Sequence, residues 1–506
     1  MTSRPRRALG VLLAVASLLA TAACAPQNGR GVAFAVARPG RAESAVAQPN
    51  IVFLLTDDLS KNLVPYMPNL QALQREGTTF TNYTVTDSLC CPSRASMLKG
   101  QFPHNTGIFK NHGSDGGFRL FYRRGEEKST FATDLQGAGY RTAFLGKYLN
   151  EYQPRNPLGT GQPYTPPGWD QWFAGGNAYR NFNYSLNENN QVRRYGNRPE
   201  DYLTDVLSAK ASDFISTSAA TGKPFMVEVS TYTPHSPYTP APQDATSFPG
   251  LKAPRTAAYD RLPADAPPWL AKVPRLTKKQ KTRMDTEFRK RVQSVQSVDR
   301  MLGSLRATLT RAGVADRTVV VFASDNGYHM GEYRLPSGKQ TAFDTDINVP
   351  LVMAGHGVGA GRTVDALVEN IDLRPTFAEL AGAPQPGETD GRSIKPLLAG
   401  DTPVQWRSAA LIEHRDPATD PLDPDYTYDS PNIPPAYDAL RTSRFTYVKY
   451  VDGSREYYDR KTDPLQLRNV AGKLTPARIA ALDKALHALI TCAGPEACWT
   501  AAHGIS

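Results

Sequence analysis

The order of apolar segments in this 506-residue chain predicts an α/β fold. It should be a mixed, mostly parallel sheet flanked by helices, with a small antiparallel α+β subdomain at the C-terminal end. Three observations carry that expectation: short apolar runs recur at wide intervals, helix-forming stretches separate them, and each run stops at a cluster of polar residues. The first run is Ile51-Val52-Phe53-Leu54-Leu55. An unbroken apolar segment of this length reads as a parallel strand buried on both faces. It ends in Thr56-Asp57-Asp58. Tyr140-Arg141-Thr142-Ala143-Phe144-Leu145 ends at Gly146-Lys147, and Phe225-Met226-Val227-Glu228-Val229-Ser230 runs into Thr233-Pro234-His235. Thr318-Val319-Val320-Val321-Phe322-Ala323 repeats the first pattern and ends in Ser324-Asp325-Asn326-Gly327. Residues 202–214 and 288–312 read as helices. Strands alternating with helices build an open sheet covered on both faces, and ligands of such sheets sit beyond the carboxyl ends of the strands. Every polar cluster just named falls there.

The C-terminal part has a different character. Residues 415–436, rich in Pro, Asp and Tyr, are expected to form a long loop rimming the pocket. Leu440 to Val451 alternates like one strand, Asp452-Gly453 marks a turn, and Glu456-Tyr457-Tyr458-Asp459 reads as the partner strand. A helix is expected from Pro476 to Ile490.

With 40% hydrophobic residues, a chain of this length can bury a large core and hold more than one domain or subdomain. The formal net charge is +10, and a basic balance suits anionic substrates or polyanionic matrices. There are no repeats, no nucleic-acid motif and no aromatic-rich RNA platform, so nucleic acid is not an expected partner.

Arg4 to Arg7 form a charged segment, Leu9 to Ala20 an apolar one too short to span a bilayer, and Thr21-Ala22-Ala23 precede Cys24. This reads as an export signal. It resembles a lipobox with Cys24 lipidated; ordinary cleavage is the rival reading, because Thr21 stands where Leu is usual. Either way an extracytoplasmic location is expected, secreted or on the cell envelope, with a membrane contact only through that lipid. The expected segments are a signal over 1–24, a flexible linker over 25–48, a catalytic domain over 49–400 and the small subdomain over 401–506. Of five cysteines, Cys492 and Cys498 flank the turn-forming Ala-Gly-Pro-Glu-Ala and are expected to pair as a local disulfide. Cys90-Cys91 lack the CxxC or His spacing of a zinc site.

Asp57, Asp58 and Asp325 supply three carboxylates, and Asn326 an amide oxygen. Oxygen-only ligands suit a hard dication, calcium or magnesium; strand-end Asp and Asn also cap helices and make turns. Fixed cations stabilise charge on an anionic ester in a dry site, and Arg94, Lys147 and Lys339 are candidates.

Leu89-Cys90-Cys91-Pro92-Ser93-Arg94-Ala95-Ser96-Met97-Leu98-Lys99-Gly100 follows the pattern C-x-P-S-R-x-x-x-L-x-G. That pattern resembles the signature of the type I sulfatases, whose first Cys is oxidised after synthesis to formylglycine (3-oxoalanine). The resemblance implies an alkaline-phosphatase-like fold and a formylglycine-generating enzyme acting on Cys90 and not Cys91. It implies one dication, usually calcium, on Asp57, Asp58, Asp325, Asn326 and the modified Cys90. The substrate would be a sulfated carbohydrate or aryl sulfate. One hydroxyl of the formylglycine hydrate attacks sulfur; the other then loses its proton, and sulfate leaves as the carbonyl reforms. By the same resemblance Asp325 assists deprotonation and His235 protonates the leaving alcohol. His104 positions the second hydroxyl, Arg94 holds the hydrate, and Lys147 and Lys339 grip the sulfate. His329 is expected to line the substrate pocket or lie in a surface loop. Many relatives have His two residues after the clamp Lys, where this chain has Leu149, so Asn150 is the expected substitute or the role is absent. Gly146-Lys147-Tyr148-Leu149-Asn150-Glu151-Tyr152, Ser324-Asp325-Asn326-Gly327-Tyr328-His329 and Pro234-His235-Ser236-Pro237 are similar to the N-acetylglucosamine-6-sulfatase branch, which includes the heparan endosulfatases.

The basic stretch from Lys272 to Arg291 reads as a solvated helix face with Phe288, Val292, Val295, Leu302 and Leu305 turned inward, in preference to a glycosaminoglycan site. Two other function classes stay open: a phosphodiesterase or phosphonate hydrolase with the same nucleophile, and a non-catalytic envelope lipoprotein that binds anionic sugars.

Overall fold

Side chains of a strand alternate between faces, and the first apolar run uses both. Ile51, Phe53 and Leu55 enter one hydrophobic core, while Val52 and Leu54 enter another on the opposite side of the sheet. The computed structural model describes residues 48–400, 405–415, 423–425 and 433–505. The expected signal over 1–24, with Cys24, and the linker up to residue 47 lie outside the described residues.

The strands in chain order are β1 (Asn50–Thr56), β2 (Gly77–Phe80), β3 (Tyr83–Thr84), β4 (Arg141–Lys147), β5 (Gln171–Gly175), β6 (Ser185–Glu188), β7 (Gln191–Arg194), β8 (Phe225–Ser230), β9 (Thr318–Ser324), β10 (Leu351–Gly355), β11 (Arg362–Val364), β12 (Val368–Glu369), β13 (Ala409–His414), β14 (Tyr437–Thr442), β15 (Phe445–Tyr450) and β16 (Arg455–Asp459). Ten of them make one sheet in the order β11-β2-β10-β9-β1-β8-β4-β5-β6-β7. Its centre, β9-β1-β8-β4-β5, is parallel throughout. β10, β6 and β7 add antiparallel pairings at the flanks. All four apolar runs are therefore neighbours at the middle of the sheet, where both faces are covered.

One face is covered by the long helix Lys278–Arg311 and by Leu203–Ala219, whose Phe288, Leu302, Leu207 and Phe214 pack with Val52 and Leu54. On the other face Phe53 meets Phe131 and Phe377 edge-on. The long helix begins at Lys278, earlier than the apolar periodicity alone indicates. Thr277 accepts the amide N–H of Gln280, and the Gln280 side chain accepts that of Thr277, a reciprocal cap that starts the helix in solvent.

The antiparallel sheet β13-β14-β15-β16 follows. The expected single strand from Leu440 to Val451 is instead a hairpin. Thr442 Oγ1 accepts the N–H groups of Arg444 and Phe445 and folds the chain back between β14 and β15. Alternation carries on unbroken through that turn, so periodicity alone did not mark it. The turn at Asp452-Gly453, with Gly453 at φ 83°, joins β15 to β16 as expected. The helix Pro476–Ile490 is capped by Thr475, and a disulfide joins Cys492 to Cys498. Ile412, Ala439 and Val448 of the small sheet belong to the same core as Phe53 and Phe377. No helix among the described residues is long and apolar enough to cross a membrane.

Candidate active site

Register brings the acids together. Thr56 of β1 pairs with Ser324 of β9, so Asp57-Asp58 and Asp325-Asn326 leave the sheet side by side. Asp58 takes a left-handed turn (φ 66°), a conformation that Asp tolerates better than most residues. Its N–H donates to Asp325 Oδ1 at 3.1 Å. Gly146 precedes Lys147 at φ 108°, and a Cβ there would stand 1.9 Å from the Ser230 carbonyl oxygen. Only glycine lets β4 pass β8 this closely while aiming Lys147 at the acids.

Cys90 is the first residue of the helix Cys90–Lys99, which is buried along its whole length and ends at Gly100 in the left-handed region. Residues four apart share a helix face, so Arg94 stands one turn behind Cys90. The two cysteines have different surroundings. Cys90 Sγ lies 3.3 Å from Asp57 Oδ1 and 2.9 Å from Lys339 Nζ. Cys91 packs among apolar side chains of the core, where burial pushes its thiol up to about 12.

The cations are paired with the acids. Lys147 Nζ donates to Asp57 Oδ2 and Lys339 Nζ to Asp58 Oδ1, both at 2.7 Å. Arg94 Nε donates to Asp325 Oδ2 at 2.7 Å, and its Nη1 to the Lys147 carbonyl and the Ser230 hydroxyl. Arg94 Nη2 is buried without a hydrogen-bond partner, 3.8 Å from Asp57. His235 places Nε2 3.1 Å from Asp425 Oδ1 and 3.7 Å from Asp58 Oδ2.

Proton affinities follow from these neighbours. Burial favours the neutral form of Asp57, but Lys147, His235, Arg94 and Lys339 together hold it well below the usual carboxylate range. Asp325 goes the other way: burial outweighs Arg94 and lifts it to about 6. Burial, with Asp57 next to it, raises the Cys90 thiol. Burial opposes the charge on His235, yet Asp58, Asp57 and Asp425 raise its affinity for a proton. Lys147 and Lys339 stay cationic because Asp57 in one case and Asp425 with Asp58 in the other overcome burial.

The donor set fits a hard dication. Ligand atoms of Asp57, Asp58, Cys90 and His235 all lie within 4.8 Å of one another. Asn326 Oδ1 is buried with no hydrogen-bond partner, while its Nδ2 donates to Asp58 Oδ1 at 2.7 Å. An orphaned oxygen beside two carboxylates is costly unless a cation takes it. Asp325 stands next to this group, its Oδ1 accepting the N–H groups of Asp58 and Asn326.

His104 is not among the converging groups, which corrects its expected role. Its Nδ1 meets Glu413 at 2.8 Å and its Nε2 the Cys492 carbonyl at 2.9 Å, so both ring nitrogens serve a junction with the C-terminal segment. His329 lines a cavity of about 240 Å³ with Asp58, His235 and Lys339, its Nδ1 bonded to Asp346. Asn150 lines a second cavity of about 380 Å³ that includes Lys147, and its Oδ1 is buried without a hydrogen-bond partner.

Three neighbours escaped the sequence. Asp425 bonds Lys339 at 3.0 Å and His235, and lies 3.7 Å from Cys90 Sγ. Its only signal was membership of the Pro-, Asp- and Tyr-rich stretch expected to rim the pocket, and Pro424 and Ile433 of that stretch do line it. Arg291, the last member of the basic stretch, is fully buried instead of solvated. It donates to the Asp58 carbonyl and lies 4.3 Å from the Tyr328 ring centroid. Tyr179 lies under Lys147 at 5.1 Å and against His235 at 4.5 Å, and nothing in its sequence context marks it.

Clustered carboxylates, a reactive position at a helix start and three fixed cations are the equipment of a hydrolase of anionic esters. The family model described as Sulfatase matches residues 49–383, and the one described as N-sulphoglucosamine sulphohydrolase, C-terminal, matches residues 331–491. Human N-acetylglucosamine-6-sulfatase is 34% identical over 476 residues, which cover 88% of this chain and 85% of that protein. The putative extracellular sulfatase Sulf-1 homolog of Caenorhabditis elegans is 34% identical over 382 residues, 72% of this chain and 52% of that protein. A solved structure described as a complex with its substrate D-glucosamine-2-N,6-O-disulfate shares the fold with a TM-score of 0.71 at 24% identity, covering 88% of this chain and 97% of that one. The chain belongs to the sulfatase family and is a sulfuric ester hydrolase.

Proposed function

We propose that this protein removes sulfate from a sulfated sugar of the N-acetylglucosamine-6-sulfate type, using Cys90 after its conversion to formylglycine by a formylglycine-generating enzyme. The observation that carries the reading is the place of Cys90 Sγ, between Asp57 at 3.3 Å and Lys339 at 2.9 Å, on the helix that also presents Arg94. The relatives named above support the sugar.

Asp57, Asp58, Asp325 and Asn326, with residue 90, would hold the dication, calcium by family likeness. When bound it lowers the pKa of the attacking hydroxyl and offsets the carboxylate charge. The hydrated formylglycine supplies two hydroxyls on one carbon, one to attack sulfur and one to reopen the carbonyl. The chain's own groups do the rest. Arg94 Nη2, which has no hydrogen-bond partner, holds the hydrate, and the Nζ atoms of Lys147 and Lys339 bind the ester oxygens, on which charge grows as sulfur is attacked. Asp325, lifted to about 6, accepts the proton of the attacking hydroxyl. His235, whose affinity for a proton the carboxylates of Asp58, Asp57 and Asp425 raise against burial, donates Nε2–H to the departing alcohol oxygen. The protein acts outside the cytoplasm, consistent with the signal-like N-terminus.

Mass spectrometry of the peptide around residue 90 in active protein tests the reading, together with rates on 4-nitrophenyl sulfate and a phosphate diester. Formylglycine at 90, turnover lost in Cys90→Ala and preference for the sulfate ester are the expected results. An unmodified thiol in active protein, or dominant phosphodiesterase activity, would overturn it.

A further inference from the structure

We infer that Tyr179 is a positioning residue for the reaction: its ring is a wedge that holds Lys147 and His235 at the spacing one sulfate ester demands. The inference rests on the sulfatase reading above. Tyr179 stands in the connection between β5 and β6, Lys147 ends β4, and His235 follows β8. Three strand ends thus meet at one phenol. Lys147 Nζ lies 5.1 Å from the centre of the ring, and the His235 ring packs against it at 4.5 Å with a tilt of 45°.

Both neighbours are buried, Lys147 at 3% exposed and His235 at 2%. The π face of a phenol attracts an ammonium group, and more strongly where water is excluded. Asp57 draws Lys147 Nζ to itself at 2.7 Å. The ring gives Nζ a second hold that does not depend on a carboxylate, and Asp57 is one of the carboxylates assigned to the dication. His235 Nδ1–H donates to the Ser236 carbonyl at 2.9 Å, which leaves Nε2 to face the reactive centre. One hydrogen bond still lets an imidazole swing about the bond that carries it; the Tyr179 ring packed on it limits that swing. Tyr179 is itself braced. Tyr232 meets it edge-on at 5.1 Å, and the Tyr232 hydroxyl donates to the Gly176 carbonyl at 2.7 Å.

The spacing matters because of what the two groups do. Lys147 grips the sulfate oxygens and His235 protonates the departing alcohol oxygen, and all of these atoms belong to one ester. A misplacement of about 1 Å can cost on the order of a hundredfold in rate. A flat, rigid side chain that touches both groups fixes them relative to each other, which separate bonds to Asp57 and Ser236 do not.

The test compares three variants of the full chain. Tyr179→Phe keeps the ring, Tyr179→Leu removes it, and Tyr179→Met fills its place with a flexible chain that has no π face. Rates are measured on N-acetylglucosamine-6-sulfate, whose alcohol leaves with a proton, and on 4-nitrophenyl sulfate, whose phenolate leaves without one. Tyr179→Phe should stay within about threefold of the parent on both. Tyr179→Leu and Tyr179→Met should lose at least about thirtyfold in kcat on the sugar ester and no more than about tenfold on the aryl ester, which feels only the drift of Lys147. A fold that is merely weakened lowers both rates by one factor. If Tyr179→Leu does not fold, Tyr179→Met reads the same ratio. Equal losses on the two esters, or a Phe variant as poor as the Leu variant, overturn the proposal. Turnover of the two esters by the parent tests the sulfatase reading separately, so failure of that reading is told apart from failure of this one.

Discussion

At the residue scale, function depends on how neighbours set each proton affinity. Asp425 raises the proton affinity of His235 through charge and a 3.1 Å contact. Asp425→Asn removes that charge, so His235 loses its proton at lower pH. In the proposed mechanism the protonated ring is the donor, so the alkaline limb of the kcat profile should move to lower pH, with activity at acidic pH largely kept. An unmoved limb would show that another group donates the proton. His235→Ala should lower kcat by roughly 10²–10⁴ with a smaller effect on KM, the range for one general acid. The motif residues Cys90, Arg94 and the acid pairs were legible in the sequence because spacing along one helix or at one strand end is local. Asp425, Arg291 and Tyr179 were not, because each reaches the site from a remote segment. His104 was misjudged for the converse reason: it is a short way past Cys90 in sequence, but its ring bonds Glu413 and the Cys492 carbonyl.

At the scale of elements, the ends of strands do the positioning. Gly146→Ala combines a positive φ with a Cβ 1.9 Å from the Ser230 carbonyl. The cost is expected to be at least about 2 kcal/mol, and Lys147 would be displaced from Asp57. Thermal melts and kcat/KM should therefore both fall. Thr277→Ala, which removes the helix cap, should cost about 1 kcal/mol with kcat/KM on 4-nitrophenyl sulfate unchanged. Equal loss of activity in the two variants would show that stability alone, not the aim of Lys147, is being read. The four central strands were legible because each is buried on both faces and so mostly apolar, with few polar interruptions such as Arg141, Thr142 and Glu228. The turn at Thr442–Phe445 was not, since a side-chain hydroxyl makes it without Gly or Pro.

At the scale of the whole molecule, buried acids set the response to pH. Burial lifts Glu127, Glu369 and Glu456 to about 7 and Glu228 to about 8. Each raised carboxyl binds more protons folded than unfolded between about pH 4.5 and its folded value, so stability falls as pH rises through that window. His104, raised by its bond to Glu413, adds stability that is present below its ordinary value and lost as pH rises. His414, lowered to about 3 by burial, opposes this trend below pH 6.5 only. The melting temperature, read with saturating calcium, should thus be higher at pH 5.5 than at pH 8; the reverse order would mean that these carboxyls are solvated. Chelation should lower the melting temperature at either pH, the lost stability being about 2.7 kcal/mol for a cation held at a hundredfold its Kd.

Local pattern determined the strand-helix alternation, the motif around Cys90 and the acid pairs, since hydrophobic periodicity and motif spacing act over a few residues. Tertiary structure decided which of those groups meet. Register between β1 and β9 joins the two acid pairs, and folding of the C-terminal segment delivers Asp425. The burial of Arg291 against the Asp58 carbonyl arises in the same way. Contacts between segments separated by a hundred residues or more depend on how sheets and helices stack, and no short stretch of sequence carries that.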